Sequence, residues 1–248
     1  MSDPWIFPDW PAPSQVHAAI TTRFGPGISM APFDRFNLGL RNGDSVEAVG
    51  ANRSALQQAL RLPSAPRWLH QVHGTNVAEL GPLPSADELL ADAAVSHIPG
   101  TVLLILTADC LPVLFCSDDG SEIGAAHAGW RGLAAGVLES TVTQLQSPPE
   151  RLLAWLGPCI GTESYEVGEE VRSAFLGADA GADACFKSTR PGHWHCDLAG
   201  LARSRLAAAG VTRIYGGGFD TFSDARFYSH RRDAERSGRF ASLVWFDP

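Results

Sequence analysis

Several short segments of the chain are rich in aliphatic, β-branched and aromatic residues and are bounded by turn residues, a pattern typical of β-strands. In "RWLHQVHGTNVAEL" (67–80) two shorter strands are expected, meeting at Gly74. The turn residues "DDG" (118–120) predict a hairpin. The longer strand segments are "VHAAITTR" (16–23), "TVLLILTAD" (101–109), "LPVLFCS" (111–117), "SEIGAAHA" (121–128), "RLLAWLG" (151–157), "VTRIYGGGFD" (211–220), "RFYSHRR" (226–232) and "RFASLVWF" (239–246).

Other segments place their apolar residues at helical spacing. The predicted helices are "VEAVGANRSALQQAL" (46–60), capped by Asp44 or Ser45, then 130–146, ended by two prolines, "VGEEVRSAFLG" (167–177), and "DLAGLARSRLAAAG" (197–210), ended by Gly210. The order of strands and helices is too irregular for a doubly wound sheet. It predicts a single mixed α/β domain over 1–248, in which 1–15 form an irregular, Pro-rich lead-in.

Charge and composition narrow the function classes. The formal net charge of −8 argues against a dedicated nucleic-acid-binding protein, although a small phosphate site needs only one or two arginines. The sequence shows no signal peptide, no stretch of the length that crosses a membrane and no motif for a protein partner. Its five cysteines form no C-x-x-C pair. These features predict a cytoplasmic protein with reduced thiols.

Asp109 and Cys110 interrupt the apolar run "TADCLPVLF" (107–115), and two polar groups in a buried strand cost stability unless they are used. Metal-ligand residue types also occur in "HQVHG" (70–74) and at His127 in "AAHAGWRG". Two histidines and one cysteine would suit a zinc ion with an open fourth position, which is the catalytic type of zinc site. The residues alone also allow an alternative without a metal ion, in which the histidines make ordinary hydrogen bonds at strand ends and Cys110 packs as a small hydrophobic residue in the core.

Two further segments could hold an anion. In "HAGWRG" (127–132), glycines let the backbone turn into a helix. The first amides of that helix, together with Arg131, would bind a phosphate. The alternative is an ordinary strand-to-helix turn with Trp130 packed beneath it. In "YSHRRDAERSGRF" (228–240) most charges are expected to lie on a solvated face. One or two of its arginines could turn inward to a phosphate. They are Arg231, Arg232, Arg236 and Arg239.

The order of six motifs resembles that of the YfiH-like family, whose members are variously named polyphenol oxidase (laccase domain), peptidoglycan editing factor and purine nucleoside phosphorylase. The resemblance runs from about Thr21 to Trp245. It implies the four-layer α/β/β/α fold with mixed sheets of the YfiH-like and cytotoxic-necrotizing-factor-type cysteine hydrolases. The motifs are "NLGLRNGD" (37–44), "QVHG" (71–74), "TADCLPVLF", "HAGWRG", "GPCIG" (157–161) and "SHRRD" (229–233).

The resemblance also implies roles for individual residues. His73, Cys110 and His127 would be the zinc ligands and the catalytic group, with His70 as a neighbour. Asp109 would hydrogen-bond a ligand or lie at a strand end. Substrate or phosphate would be bound by Asn37, Arg131 and Arg232.

This chain departs from the family pattern at two places. Asp220 precedes Thr221 where the family commonly has a Cys-Thr pair, and His230 stands in "YSHRRD" where the family has a run like "FSYRRD". Neither change touches the three ligands. The roles of Cys159 and His70 are left open.

The implied function is zinc-dependent phosphorolysis of purine nucleosides (inosine, adenosine, guanosine and methylthioadenosine) to free base and ribose 1-phosphate, together with deamination of adenosine. The expected partners are therefore nucleosides and phosphate. One alternative is an amidohydrolase that edits peptidoglycan precursors, with Cys110 as nucleophile and His127 as base. Another is a copper-dependent polyphenol oxidase. The chain has only eight histidines, and a multicopper centre needs many more, in clusters, so the sequence disfavours this alternative.

Overall fold

The computed structural model describes residues 3–83 and 88–248. The strands are β1 (Trp5–Ile6), β2 (Val16–Thr21), β3 (Leu69–His70), β4 (Val77–Glu79), β5 (Leu89–Leu90), β6 (Ala93–Ser96), β7 (Val102–Thr107), β8 (Leu111–Ser117), β9 (Ile123–Ala128), β10 (Leu152–Leu156), β11 (Glu166–Gly168), β12 (Phe186–Arg190), β13 (His193–Cys196), β14 (Arg213–Gly216) and β15 (Phe240–Phe246). The helices are α1 (Val46–Ala59), α2 (Trp130–Ala135), α3 (Val137–Gln144), α4 (Glu169–Leu176), α5 (Leu198–Ala208) and α6 (His230–Asp233). Within this part of the chain no helix has both the length and the apolar character needed to cross a membrane.

Two large sheets form the centre of the molecule. The four-stranded sheet has the order β1-β2-β15-β7 and is antiparallel throughout. The six-stranded sheet has the order β14-β10-β8-β9-β6-β4, with parallel pairs at its two edges and antiparallel pairs between them. Two small sheets, β11-β13-β12 and β3-β5, complete the fold.

The apolar residues of the central strands are divided between two faces because successive side chains point to opposite sides of a strand. In β7, Leu103 and Ile105 pack between the two large sheets, whereas Leu104 faces the layer that contains Leu56 of α1. In β10, Leu153 packs between the sheets and Leu152 faces the helices α2 to α5. The layers are therefore α1, four strands, six strands and the helices α2 to α5, as the α/β/β/α expectation requires.

The helix predicted over 130–146 is wrong in one respect, because it is divided into α2 and α3. Gly136 lies between them with φ of +101°, a left-handed conformation that glycine adopts at little cost. The helical spacing of the apolar residues continues across this break, so periodicity alone does not reveal it.

The strand predicted over 226–232 is also wrong. Ser229 instead caps the short helix α6 by accepting a hydrogen bond from the backbone N–H of Arg232. The two short strands expected around Gly74 are present, but they do not pair with each other: β3 pairs with β5, and β4 pairs with β6. Ser45 caps α1 as predicted.

Candidate metal centre and cavity

Three chain segments bring His73, Cys110 and His127 together. His73 lies in the loop between β3 and β4, Cys110 in the turn that joins β7 to β8, and His127 in β9. The Cys110 Sγ atom is 3.7 Å from His73 Nε2, and the two imidazole rings are 4.7 Å apart at an angle of 70°. One donor atom from each residue falls within 4.8 Å of the other two.

The geometry of this cluster suits a metal ion. Zn–S and Zn–N bonds of ordinary length in a tetrahedron place a sulfur and a nitrogen ligand about 3.5 Å apart, close to the 3.7 Å observed here. A Cβ atom at Gly129 would lie 2.8 Å from His73 Cδ2 and 2.9 Å from Cys110 Sγ, so this position next to the cluster has no room for a side chain. Thiolate and imidazole ligands suit zinc, and they also suit copper.

Asp92 organises two of the three residues. Its fully buried carboxylate accepts hydrogen bonds from the backbone N–H groups of His73 at 2.8 Å and Gly74 at 2.7 Å, and from Val72. It also bonds His127 Nδ1 at 2.8 Å. This contact leaves Nε2 of His127 as its donor to a metal ion. Asp92 is not among the candidates that the sequence motifs indicate. The available signal is an aspartate directly before the strand "AAVS", the same kind of polar interruption as Asp109.

Cys110 lies in an environment that favours a thiolate. Burial by itself would raise the pKa of the thiol, but the charge and hydrogen bonds of His127 and His73 lower this pKa to about 6. Burial would lower the pKa of His127, yet Cys110 and Asp92 raise it above its ordinary value. Each of the two groups therefore favours the charged form of the other, a thiolate beside an imidazolium. The thiolate is the form that binds metals.

His73 and Asp109 both have a left-handed backbone conformation, with φ of +62° and +85°. Such conformations cost non-glycine residues free energy and persist only where the surroundings impose them. The bonds from Asp92 to the neighbouring amides hold the loop of His73. Two of the four non-glycine residues with positive φ in the described part of the chain thus lie at the turns that present His73 and Cys110.

Asp109 lies at a strand end and ties distant loops together. Its carboxylate accepts hydrogen bonds from the Thr221 hydroxyl at 2.6 Å, the Ser229 hydroxyl at 3.1 Å and the backbone N–H of Arg231 at 2.6 Å. These contacts favour the strand-end reading of Asp109 over a bond to a ligand, since Asp92 is the residue that bonds His127. They also fix 221–231 beside the turn that carries Cys110.

The three candidate ligands line a cavity of about 500 Å³. Its walls combine apolar and aromatic side chains with basic ones. The apolar and aromatic residues include Leu40, Leu69, Leu106, Trp130, Ile160 and Tyr165, and the arginines are Arg41, Arg53, Arg231 and Arg239. His70 and His230 also line this cavity.

The three residues predicted to bind substrate or phosphate are not part of the cavity lining. Arg131 is exposed on α2, with its guanidinium 4.3 Å from the centroid of the Trp130 ring, and it is not part of the cavity lining. Arg232 bonds Asp233 and the backbone carbonyls of 221, 222 and 227. Asn37 is fully buried and bonds its neighbours in the loop 37–44. None of these three residues forms a hydrogen bond or ion pair with His73, Cys110 or His127.

The remaining open positions have structural environments. Asp220 accepts hydrogen bonds from the backbone N–H groups of Gly161 and Phe222 and from the hydroxyls of Ser164 and Ser223. It therefore joins the loop after β10 to the loop after β14. Cys159 is buried, and burial raises the pKa of its thiol, so it is not a thiolate near the centre.

Comparison with known proteins gives matches along nearly the whole chain. Residues 17–247 match the family model described as multi-copper polyphenol oxidoreductase laccase. A Xylella fastidiosa protein named purine nucleoside phosphorylase is 55% identical over 252 residues, which cover 97% of this chain and 96% of the relative. The Escherichia coli purine nucleoside phosphorylase YfiH is 50% identical over 241 residues, covering 97% of this chain and 98% of that protein.

Solved structures have the same fold. A Neisseria meningitidis protein superposes with a TM-score of 0.93 at 41% identity, covering 99% of this chain and all of that one. YlmD from Geobacillus stearothermophilus superposes with a TM-score of 0.90 at 28% identity, covering 100% of this chain and 98% of that one. These likenesses confirm the expected mixed α/β fold.

Proposed function

Since this chain belongs to the laccase-like YfiH family, we propose that it is a zinc-dependent purine nucleoside phosphorylase. It converts inosine, adenosine, guanosine or methylthioadenosine and phosphate to the free base and the sugar 1-phosphate. His73, Cys110 and His127 form its catalytic centre and hold the zinc ion. The relatives named purine nucleoside phosphorylase, at 40–55% identity, support this proposal.

The cavity is the observation that carries the proposal. Its volume of about 500 Å³ lies within the range of small-molecule sites. A purine ring presents flat apolar faces, which suit Trp130, Tyr165 and the leucines of the wall. Guanidinium groups bind phosphate through paired, charge-assisted hydrogen bonds, and four arginines line the same space. Apolar walls, cations and the His–Cys–His centre therefore meet in one cavity.

In the proposed reaction, a phosphate oxygen forms a bond to C1′ of the ribose while the bond from C1′ to the purine nitrogen breaks. The electron pair of that bond goes to the purine, which takes up a proton. The arginines offset the charge of the phosphate and orient it toward C1′. Asp92 holds His127 in one tautomer, and the apolar walls limit the access of water, which would otherwise compete with phosphate.

We propose deamination of adenosine as a second activity of the same cavity. Zinc bound by His73, Cys110 and His127 would supply a Lewis acid that activates water for attack on C6 of the purine. Water then replaces the amino group, which leaves as ammonia, and the product is inosine. The residues of the chain keep the base within reach of the centre.

One alternative has a specific observation in its favour. The lowered pKa of Cys110, caused by the two imidazoles that outweigh its burial, would also suit the nucleophile of a Cys–His amidohydrolase acting on a peptidoglycan precursor. A thiolate committed to a metal ion is not free to attack an amide. Full metal occupancy would therefore argue against this reaction.

A copper-dependent polyphenol oxidase fits the described residues less well. Within 3–83 and 88–248, His73, Cys110 and His127 are the one group of three or more metal-ligating side chains placed closely enough to share an ion. One such group provides for a single ion, whereas the family description names a multi-copper enzyme.

The test combines metal analysis with chromatography of nucleoside reactions. We expect about one zinc per chain, and free base from inosine or adenosine only when phosphate is present. Adenosine should also yield inosine without phosphate. Cys110→Ala should lose the metal and both activities. Equal base release in phosphate-free buffer would identify a hydrolase, and full metal content in Cys110→Ala would remove Cys110 from the ligands.

We also infer that residues 1–248 act as one domain in the cytoplasm on small molecules. All five cysteines are free, which suits a reducing compartment, and the net charge of −8 does not favour nucleic acid. Substrate contacts by Asn37, Arg131 and Arg232 stay predictions.

A further inference from the structure

The four arginines of the cavity differ in how their charges are balanced. Arg41 and Arg53 share one carboxylate: their Nη1 atoms lie 2.7 Å and 3.2 Å from the two oxygens of Glu88. Arg53 is further fixed by stacking at 3.6 Å on the ring of Trp68. Each of these two side chains therefore already bonds a carboxylate, although the single charge of Glu88 leaves the group of three with a net charge of +1.

Arg239 has no acidic partner among the described residues. Its Nη1 donates hydrogen bonds to the backbone carbonyls of Ser237 at 2.8 Å and Gly238 at 2.9 Å, and its Nε and Nη2 bond nothing in that part of the chain. The side chain is half-buried in the cavity wall. Withdrawing a guanidinium from water without an ion-pair partner costs free energy, and a bound anion would offset that cost.

The backbone and stem of Arg239 are held in place before any ligand binds. Its backbone N–H donates a hydrogen bond to the buried Asn37 Oδ1 at 2.8 Å. Its Cγ packs so closely on Gly39 that a Cβ there would lie 2.8 Å away. Because the backbone and stem are already ordered, less conformational entropy is lost when the guanidinium binds an anion.

Arg231 is the other arginine of the cavity without an acidic partner among the described residues, but it is less suited to hold an ion firmly. It is exposed, lies 5.3 Å from the centroid of the Tyr165 ring and donates Nη1 to the carbonyl of Glu166. Arg239, in contrast, is half-buried, and its stem packs against Gly39. Burial lowers its pKa; the charges of Cys110 and Asp109 act in the opposite direction, but neither residue bonds its guanidinium.

We propose that Arg239 is the residue that anchors phosphate in this cavity, with Asn37 as a positioning residue that holds its backbone. This inference rests on the proposed function and assigns the phosphate subsite within it. Nε and Nη2 of Arg239 are adjacent donors on one edge of the guanidinium, and they can bond two oxygens of one phosphate. Phosphate bound here shares the cavity with Cys110 and His127.

The test is calorimetric titration of inorganic phosphate into the metal-loaded protein. Arg239→Gln should weaken phosphate binding roughly ten- to hundredfold, the usual effect of removing one charged partner of a bound anion. Arg239→Lys, which keeps the charge but not the paired donors, should lose less. Inosine binding should change little in either variant, because the nucleoside carries no phosphate.

Arg203→Gln is the matched control. Arg203 is also half-buried, and it donates to the backbone carbonyls of Ile214 and Gly216, but it lies outside the cavity lining. It should lower thermal stability about as much as Arg239→Gln while leaving phosphate affinity unchanged. Arg131→Gln tests the competing hypothesis that Arg131 binds the phosphate, as the sequence motif "HAGWRG" predicts.

Each result decides for or against the proposal. Selective loss of phosphate affinity in Arg239→Gln supports it. The proposal is overturned if Arg239→Gln binds phosphate with wild-type affinity, or if Arg131→Gln loses that affinity instead. It is also overturned if both Arg239 variants lose phosphate and inosine binding in parallel, or if the wild type binds no phosphate. The proposed function fails separately, if the wild type releases no base from any nucleoside, because the titration does not depend on turnover.

Discussion

Replacing Asp92 by Asn should weaken metal binding at the candidate centre while the fold is retained. Oδ1 of Asp92 accepts from the backbone N–H of His73 and from His127 Nδ1, and Oδ2 accepts from the backbone N–H of Gly74. An Asn side chain keeps one oxygen, so at least one of these donors would face an NH₂ group. Asp92 is fully buried and His127 is buried beside it, so water does not readily replace an acceptor lost at His127 Nδ1.

The magnitude follows from these contacts. One buried donor without an acceptor costs about 1–3 kcal/mol, and the other bonds weaken because the charge of the carboxylate is lost. We expect the metal-free variant to be about 2–4 kcal/mol less stable in urea unfolding. Changes to residues that orient metal ligands typically cost roughly 10- to 100-fold in metal affinity. Competition with a chelating dye measures that affinity directly.

Asp220→Asn is the control for this variant. Asp220 also accepts from four groups, two backbone N–H and two hydroxyls, but it contacts none of the candidate ligands. It should destabilise the fold and leave metal affinity unchanged. If Asp92→Asn is destabilised but binds zinc as tightly as the wild type, the claim that Asp92 orients the ligands is refuted.

The contribution of Asp92 should also depend on pH. Burial alone would raise its pKa, but hydrogen bonds from His127 and the neighbouring amides lower this pKa below the usual value. The carboxylate therefore stabilises the fold fully above the unfolded pKa of about 3.9, and this stabilisation is lost as pH falls through the lower pKa of the folded state. The stability difference between the wild type and Asp92→Asn should shrink on acidification across that window. A constant difference would contradict the assignment.

Three further predictions concern two glycines, Gly129 and Gly136, and the thiol of Cys110. Gly129→Ala should lose most metal affinity in a zinc titration, because the new Cβ meets His73 and Cys110 at less than 3 Å. Gly50→Ala is the control: it lies in open space on α1 and should stabilise the protein by about 0.5–1 kcal/mol in urea unfolding. In metal-free protein, iodoacetamide should label Cys110 with a rate that rises around pH 6, because two imidazoles outweigh its burial and lower the pKa of the thiol. Peptide mapping across a pH series measures this rate, and a midpoint of the rate profile near 8.5 would contradict the prediction. Gly136→Ala should cost about 1–2 kcal/mol in urea unfolding without changing metal affinity, because φ of +101° strains any side chain there.

The hydrophobic pattern by itself determined much of the fold. β7 and β15 are apolar at nearly every position because both faces of the four-stranded sheet are covered, one by the second sheet and one by α1. Strands of this kind can be recognised locally, since burial on both faces leaves no polar alternation. The Ser45 cap of α1 is likewise a local signal. The break at Gly136 was not visible, because a glycine at the end of one helical turn also fits an uninterrupted helix.

The motifs also indicated the residues of the candidate centre, since thiol and imidazole groups at strand ends are few. Only the tertiary structure decided what surrounds them. Asp92 reaches His127 across 35 positions of the sequence, through the pairing of β6 with β9. Trp130 lines the cavity while the next residue, Arg131, is turned outward, because successive residues of a helix point about 100° apart. Arg239 becomes the half-buried cavity arginine without a carboxylate partner among the described residues because its loop packs against 37–39. Such contacts join residues far apart in the chain, so no local pattern encodes them.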